Sequence, residues 1–167
     1  MDKVMVERHQ QFEILTKVMT PLPGIMSWVE DLERRGIPFG IASSSEIGWV
    51  DHHLDRLGIR DRFSVIVTRD QVANPKPAPD LYLEACRRLN CDPTQCVALE
   101  DSSNGVKSAK AAGMFAVAIP NPVTTEFDFS LADLRLASMS DLTWEGLCEA
   151  FSVGTADSFS AAARLDS

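Results

Sequence analysis

The sequence predicts an α/β fold, in which a parallel sheet is covered by helices on both faces. Apolar segments of strand length alternate with amphipathic segments of helix length from residue 21 to residue 153. The segment Ile37–Ala42 is short and nearly all apolar, which is typical of a strand buried on both faces of a parallel sheet. With 167 residues, the chain is long enough for one domain and too short for two full ones.

Start and stop signals justify the elements in order. A helix is predicted over residues 22–32, where apolar residues recur at helical spacing, and Gly36 ends it. The strand Ile37–Ala42 follows. Pro79 and Asp80 then fit the first turn of a helix that runs toward Leu89. The other predicted elements are a helix over Ile47–Leu57, strands over Phe63–Val67 and Cys96–Leu99, a helix over Ser103–Ala112 that Gly113 ends, strands over Phe115–Ile119 and Leu134–Ala137, and a helix over Leu142–Phe151.

The two ends of the chain are expected to lie outside this pattern. Val4–Met19 has the spacing of a helix that precedes the first strand, and a proline-rich break follows it at residues 20–24. Residues 154–167 are rich in serine and alanine and are expected to form a disordered tail. We therefore divide the chain into residues 1–20, a core of residues 21–153, and the tail.

Composition excludes several classes of partner. The net charge of −8 and the lack of clustered lysine and arginine argue against nucleic acid. The longest apolar runs are of strand length, so no membrane partner is expected. The four cysteines show neither CxxC spacing nor a disulfide framework, and no signal peptide precedes them, which predicts reduced thiols and a cytoplasmic location.

Polar side chains follow three of the predicted strands. Ser43, Ser44 and Ser45 come after the first, Lys76 lies between two prolines after the second, and Glu100 and Asp101 come after Cys96–Leu99. Ligands of open α/β sheets bind at the carboxyl ends of the strands. Hydroxyls and free N–H groups suit phosphate oxygens, an ammonium neutralises an anion, and paired carboxylates suit Mg²⁺. Taken together, they predict a site for phosphoryl chemistry.

Each of these residues also has a simpler interpretation. A serine is a common N-cap, a lysine between prolines is commonly an exposed residue of a turn, and acids are favoured at a helix N-terminus for their charge. The last interpretation is weaker for Glu100 than for Asp101, because Glu100 directly continues a buried strand.

Three stretches closely resemble the haloacid dehalogenase (HAD) superfamily of phosphohydrolases, and within it the β-phosphoglucomutase-like branch. They are GIASSS, NPKPAPDLYLEA and LEDSSNGVKSAKAAGM, which resemble the second, third and fourth motifs of the superfamily. The resemblance covers about residues 21–119. It implies a HAD-like, Rossmann-like three-layer α/β/α fold with a parallel sheet, and it makes residues 1–20 the last helix of a helical cap.

The resemblance also implies roles at the predicted phosphate site. Ser43 would hold the phosphoryl group through its hydroxyl, with help from the N–H of Ser44. Lys76 would stabilise the charge on the nucleophile and the phosphate. Ser45 and Asn104 would contact the substrate or order the loop.

The implied cofactor is Mg²⁺. Asp101 would be its ligand, and Glu100 either a second ligand or a partner of the ligands. The implied substrate is a small phosphorylated metabolite such as a sugar phosphate, hydrolysed through an aspartyl-phosphate intermediate.

One departure from the family pattern limits these expectations. The family's first motif, DxDGT/V, carries the nucleophile on the central strand of the sheet, and this chain lacks it. Asp2 and Asp128 lack the flanking strand pattern, so we transfer the role to neither. The strands ending at Ser43 and Leu99 must then pair directly, stay apart, or accept a strand from elsewhere. We expect the sequence to be truncated and the chain as given to be nearly inactive.

Three functions follow as hypotheses. The first is a phosphatase and the second a phosphomutase of the β-phosphoglucomutase type. The third is a catalytically dead fragment or isoform that binds phosphorylated ligands or a partner. We expect the complete protein to be monomeric, and this chain to be able to self-associate if another chain supplies the missing strand.

Overall fold

Parallel strands and helices alternate along the described part of the chain. The computed structural model describes residues 20–162, with side chains up to residue 154. The elements are α1 (Ile25–Arg35), β1 (Gly40–Ser43), α2 (Ile47–Arg56), β2 (Val65–Thr68), α3 (Asp80–Leu89), β3 (Val97–Glu100), α4 (Ser103–Ala111), β4 (Phe115–Ala118), β5 (Leu134–Arg135) and α5 (Trp144–Ala162), with short 3₁₀ turns at Arg60–Arg62, Arg69–Gln71, Pro93–Gln95 and Met139–Asp141.

The predicted order of elements is confirmed, and the glycine stop signals act where expected. Gly36 ends α1 with φ 66°, a left-handed conformation that a residue without a Cβ adopts at little cost. Gly113 likewise has a positive φ after α4. The predicted α/β class therefore holds over residues 20–162.

The strands form two separate parallel sheets. β1 pairs with β2 in one, and β3, β4 and β5 follow one another in the other. Within residues 20–162, β1 and β3 are not paired with each other. The strands ending at Ser43 and Leu99 were expected to pair directly, to stay apart, or to accept a strand from elsewhere. In the structure these two strands stay apart.

The first strand differs from its prediction in start and burial. It begins at Gly40 instead of Ile37, because Pro38 has no N–H to donate to a ladder. We expected it to be buried on both faces, yet none of its residues is fully buried, whereas β2 and β4 are buried at every position. The prediction of burial was wrong because helices cover β1 less completely than β2. Val50 and Leu54 of α2 cover one face of β2, and Leu81 and Ala85 of α3 cover the other.

Helices cover both faces of the larger sheet. Ala116 and Ala118 of β4 pack in a cluster with residues of α3 and α4, including Val106. Phe115 and Val117, which alternate with them, point into another cluster with Trp28 of α1 and Leu147 of α5. Trp28 Nε1 also donates to Leu142 O at 3.0 Å. This gives the three-layer arrangement that was predicted.

The last helix is longer than predicted. It was expected to end at Phe151, but it continues to Ala162, into the segment expected to be a disordered tail. Gly154 lies against the ring of Phe115, and Phe151 packs edge-on against the same ring with centroids 5.5 Å apart, so packing supports the helix beyond its predicted end. Residues 163–167 lie outside the described residues, as does the predicted helix Val4–Met19.

The fold offers no membrane span in its described part. Within residues 20–162, none of the helices is both long and apolar enough to cross a bilayer.

Candidate phosphate and metal site

One ammonium group joins the ends of the two sheets. Lys76 Nζ donates to Ala42 O of β1 at 2.8 Å and forms an ion pair with Glu100 Oε1, the last residue of β3. Ala42 directly precedes Ser43, and Glu100 directly precedes Asp101. The structure therefore brings the serine run, the lysine and the acid pair together at the carboxyl ends of β1 and β3.

The loop that presents Lys76 is held at both ends. Asn74 donates through its backbone N–H and its side-chain amide to Asp80 Oδ2, each at 3.1 Å. Ser108 of α4 donates to Ala78 O at 2.6 Å. The Lys76–Pro77 peptide is cis. These contacts anchor the loop on α3 and α4, and the side chain of Lys76 is only 12% exposed.

Glu100 is surrounded by donors. Its carboxylate is 5% exposed and accepts from Lys76 Nζ and Tyr82 Oη on one oxygen, and from Ser102 Oγ at 3.2 Å on the other. A buried charge is stable in a protein only when it is paired and hydrogen-bonded in this way. The resemblance implies that Glu100 is either a second Mg²⁺ ligand or a partner of the ligands. Both of its oxygens already accept hydrogen bonds, so these contacts favour the second role, in which Glu100 positions Lys76.

Gly105 makes room for that carboxylate. It is a buried residue of the first turns of α4, and a Cβ on it would overlap the carboxyl group of Glu100. Helix α4 can therefore pass close to the end of β3 only because position 105 has no side chain. Its N-cap Ser102 accepts from Gly105 N at 3.0 Å, so the same serine contacts both the helix and Glu100.

Tyr82 completes the environment of the ion pair. Its hydroxyl donates to Glu100, and its ring lies 4.6 Å from Lys76 Nζ. Burial, followed by the charge of Glu100, raises the pKa of Tyr82 well above its ordinary value, so the hydroxyl remains a donor. Lys76 Nζ also lies 3.3 Å from the same hydroxyl.

The serine run forms a tight turn at the end of β1. Ser43 Oγ accepts from Ser45 N at 3.1 Å, and Ser45 O accepts from Arg69 N at 3.1 Å. Both contacts favour the loop-ordering role for Ser45. Ser44 is exposed. The Ser43 hydroxyl and the Ser44 N–H are the groups of this run best suited to meet an anion.

The carboxylate of Asp70, a residue that follows β2, lies at the N-terminus of α2. Its Oδ1 accepts from Ile47 N at 3.1 Å and from Thr68 Oγ1 at 2.7 Å, and the hydrogen bond from Thr68 lowers the pKa of this carboxyl. An anion bound at the serine run would therefore not use the N–H of Ile47. The sequence interpretation missed this residue, although its position just after β2 is itself a strand end.

Asp101 is the more open of the two acids. It is exposed at the start of the turn before α4, and its Oδ2 accepts from Asn121 Nδ2 at 2.9 Å. Asn104 is exposed in the first turn of α4. The contact to Asn121 was not predicted. This residue follows β4, so like the other site residues it lies at the carboxyl end of a parallel strand.

Comparisons with known proteins identify the family of the chain. The family model of haloacid dehalogenase-like hydrolases matches residues 1–119. The Bacillus subtilis (strain 168) protein YhcW is 43% identical over 135 residues, which are 81% of this chain and 61% of the relative. Hexitol phosphatase B of Escherichia coli (strain K12) is 35% identical over 127 residues, or 75% of this chain and 57% of the relative.

A solved structure supports the same conclusion. β-Phosphoglucomutase from Clostridium difficile superposes with a TM-score of 0.77 at 29% identity, over 90% of this chain and 66% of that chain. The chain spans less than two thirds of the length of each of these proteins. The fold and the family resemblance predicted from the sequence are both confirmed. The chain belongs to the family of haloacid dehalogenase-like hydrolases.

Proposed function

We propose that this chain is the phosphate-binding and charge-stabilising part of a Mg²⁺-dependent phosphohydrolase that acts on small phosphorylated metabolites, chiefly sugar phosphates. The observation that carries the proposal is the position of Lys76 Nζ, which contacts Ala42 O next to Ser43 and the carboxylate next to Asp101. A phosphoryl group at this point meets a hydroxyl, a cation and an acid suited to a metal.

Ser43 and Lys76 bind the phosphoryl group. The Ser43 hydroxyl and the Ser44 N–H donate to its oxygens, and the ammonium neutralises their charge. Lys76 keeps its contacts to Ala42 O and Glu100, and a phosphoryl oxygen replaces the longer 3.3 Å contact to the Tyr82 hydroxyl. Glu100 and Tyr82 hold the ammonium in place without touching the substrate.

The donor set fits Mg²⁺ through Asp101. Mg²⁺ is commonly held by one or two carboxylates together with waters and phosphate oxygens, and Asp101 is an exposed carboxylate beside the proposed phosphate position. Glu100 fits less well, because both of its oxygens already accept hydrogen bonds. When bound, Mg²⁺ would offset the negative charge of the phosphoryl oxygens.

The nucleophile is proposed to come from outside these 167 residues. In the complete reaction, an aspartate oxygen bonds to phosphorus as the ester P–O bond breaks, and water then cleaves the aspartyl-phosphate to release inorganic phosphate. The printed sequence lacks DxDGT/V, and the relatives extend well beyond the matched region. Among residues 20–162, β1 and β3 each have one edge without a strand partner, and these edges offer a place for the strand that would carry this motif.

Hydrolysis by a completed protein tests the proposal. The chain is fused behind an N-terminal segment that supplies a DxDGT/V motif, and is assayed with p-nitrophenyl phosphate, hexose and hexitol phosphates, and nucleotides. We expect Mg²⁺-dependent phosphate release with a preference for the sugar phosphates. A folded fusion protein that is inactive on the whole panel would refute the enzyme proposal.

A phosphomutase is the second candidate. The observation that favours it is the superposition on β-phosphoglucomutase over 90% of this chain. The same fusion protein, given a hexose 1-phosphate, would then produce the 6-phosphate with little free phosphate. Release of stoichiometric inorganic phosphate instead would assign it as a phosphatase.

A further inference from the structure

Three cysteines that are separated in the sequence converge at the base of the larger sheet. Cys86 lies in the last turns of α3, Cys91 follows its end, and Cys96 directly precedes β3. Their Sγ atoms all lie within 4.8 Å of one another, and those of Cys91 and Cys96 are 2.9 Å apart.

The backbone turns that bring them together are well defined. Asn90 ends α3 with φ 55°, and Cys91 N then donates to Cys86 O at 3.0 Å. A 3₁₀ turn over Pro93–Gln95, capped by the side chain of Asp92, returns the chain so that Cys96 N donates to Pro93 O at 3.0 Å. The cluster is therefore fixed by the connection between α3 and β3.

The cluster is separate from the proposed phosphate site. Cys96 precedes β3 and Glu100 ends it, so about 13 Å of strand lies between them at about 3.3 Å per residue. Among the described residues, these three form the one group of potential metal ligands whose donor atoms lie this close together. Nothing in the proposed phosphoryl chemistry uses them.

Simple packing does not account for the whole arrangement. Cys86 is buried in the cluster that contains Ala98 and Val106, and a buried cysteine commonly acts as a small apolar side chain. Cys91 and Cys96 are partly buried and pack against the same cluster, and their sulfurs point toward each other and toward the third. Burial of these side chains does not by itself require the three sulfur atoms to meet.

We propose that Cys86, Cys91 and Cys96 form a three-sulfur binding site for a soft, thiophilic cation of the Zn²⁺ or Cu⁺ class. Sulfur is the ligand that these cations prefer. Zn–S bonds of about 2.3 Å with tetrahedral angles place the sulfurs about 3.8 Å apart. Rotation of the Cys91 and Cys96 side chains, each partly exposed, supplies the change of about 1 Å that this spacing requires. The bound cation joins the end of α3 to the start of β3.

Titration with Cd²⁺, a thiophilic probe, tests the site. The reduced chain, freed of reductant and kept without oxygen, is expected to bind one equivalent with a sulfur-to-metal charge-transfer absorption. Cys91→Ser and Cys96→Ser should each weaken binding at least tenfold, whereas Cys148→Ser, an exposed cysteine of α5, should leave it unchanged. Absence of saturable binding, or binding that survives the Cys91→Ser/Cys96→Ser double substitution, would overturn the proposal.

A second measurement avoids any dependence on the folding of variants. The unaltered chain is treated with iodoacetamide with and without Cd²⁺, and each cysteine is scored by peptide mass spectrometry. Cd²⁺ is expected to protect Cys91 and Cys96 and to leave Cys148 reactive. Equal alkylation of Cys91 and Cys96 in both conditions, or protection of Cys148 alone, would contradict the site.

Discussion

Lys76 and Glu100 form an ion pair in which the Lys76 side chain is 12% exposed and the Glu100 side chain is 5% exposed. Lys76 lies in the loop between β2 and α3, 24 positions before Glu100 at the end of β3, so the pair exists only in the folded chain. It holds Lys76 at the carboxyl ends of β1 and β3, where the proposed phosphate site lies.

Removal of the Glu100 charge is expected to destabilise the fold strongly. Glu100→Gln leaves the Lys76 ammonium buried without a counter-ion, a change that typically costs about 3–5 kcal/mol. The free energy of unfolding from urea denaturation measures the loss. Glu84→Gln is the matched control, because Glu84 pairs with Arg87 and Arg88 on the outer face of α3 and should lose much less. Similar losses in both variants would contradict the buried pair.

Gly105→Ala is expected to destabilise the chain although alanine is the better helix former. In an open helix position the substitution gains up to about 1 kcal/mol, but here the new Cβ overlaps the Glu100 carboxylate. A net loss of about 1–3 kcal/mol is expected from the forced displacement. Gly48→Ala in α2 is the control, because nothing lies within 4 Å of its Cβ position. Thermal melts compare the two, and a stabilised Gly105→Ala variant would refute the close approach.

Tyr82→Phe removes one donor to Glu100 and keeps the ring beside Lys76. Loss of a hydrogen bond to a charged group is expected to cost about 1.5–3 kcal/mol. In a double-mutant cycle with Glu100→Gln, the two losses should be less than additive, because the second change removes an interaction that the first has already broken. Full additivity would show that the hydroxyl and the carboxylate are not coupled.

Self-association is expected of the chain by itself and not of a completed protein. Within the described part of the chain, β1 and β3 each leave one edge unpaired, and Leu99 of β3 is 40% exposed. Light scattering over a range of concentrations should give a mass above that of one chain, and fusion to the N-terminal segment of a relative should restore a monomer. A 167-residue chain that stays monomeric at every concentration would contradict the expectation that the edges of β1 and β3 are open to pairing.

The elements that the sequence predicted well are those with local signals. Pro79, Gly36 and Gly113 mark helix ends through their own backbone chemistry, so no tertiary information is needed. The burial of β1 was mispredicted because it depends on how far the helices cover the strand, which its own apolar pattern does not report.

In the candidate site too, the residues with local sequence signals could be predicted and those that depend on tertiary contacts could not. The polar residues after each strand could be found from the sequence, because the carboxyl ends of parallel strands share one edge. Tyr82, although it is the single tyrosine, lies on a helix face with no local sign that its hydroxyl reaches Glu100. The meeting of Cys86, Cys91 and Cys96 was likewise hidden, because their spacing matches no familiar metal-binding pattern.

The central claim is that Lys76 serves a phosphoryl-transfer site. Its most direct test is kcat/KM for p-nitrophenyl phosphate with Mg²⁺, measured on the fusion protein and on its Lys76→Met and Lys107→Met variants. Lys107 is an exposed lysine of α4 and serves as the control. We predict that Lys76→Met lowers kcat/KM about 100- to 1,000-fold while Lys107→Met does not. A folded Lys76→Met protein that retains full activity would contradict the account.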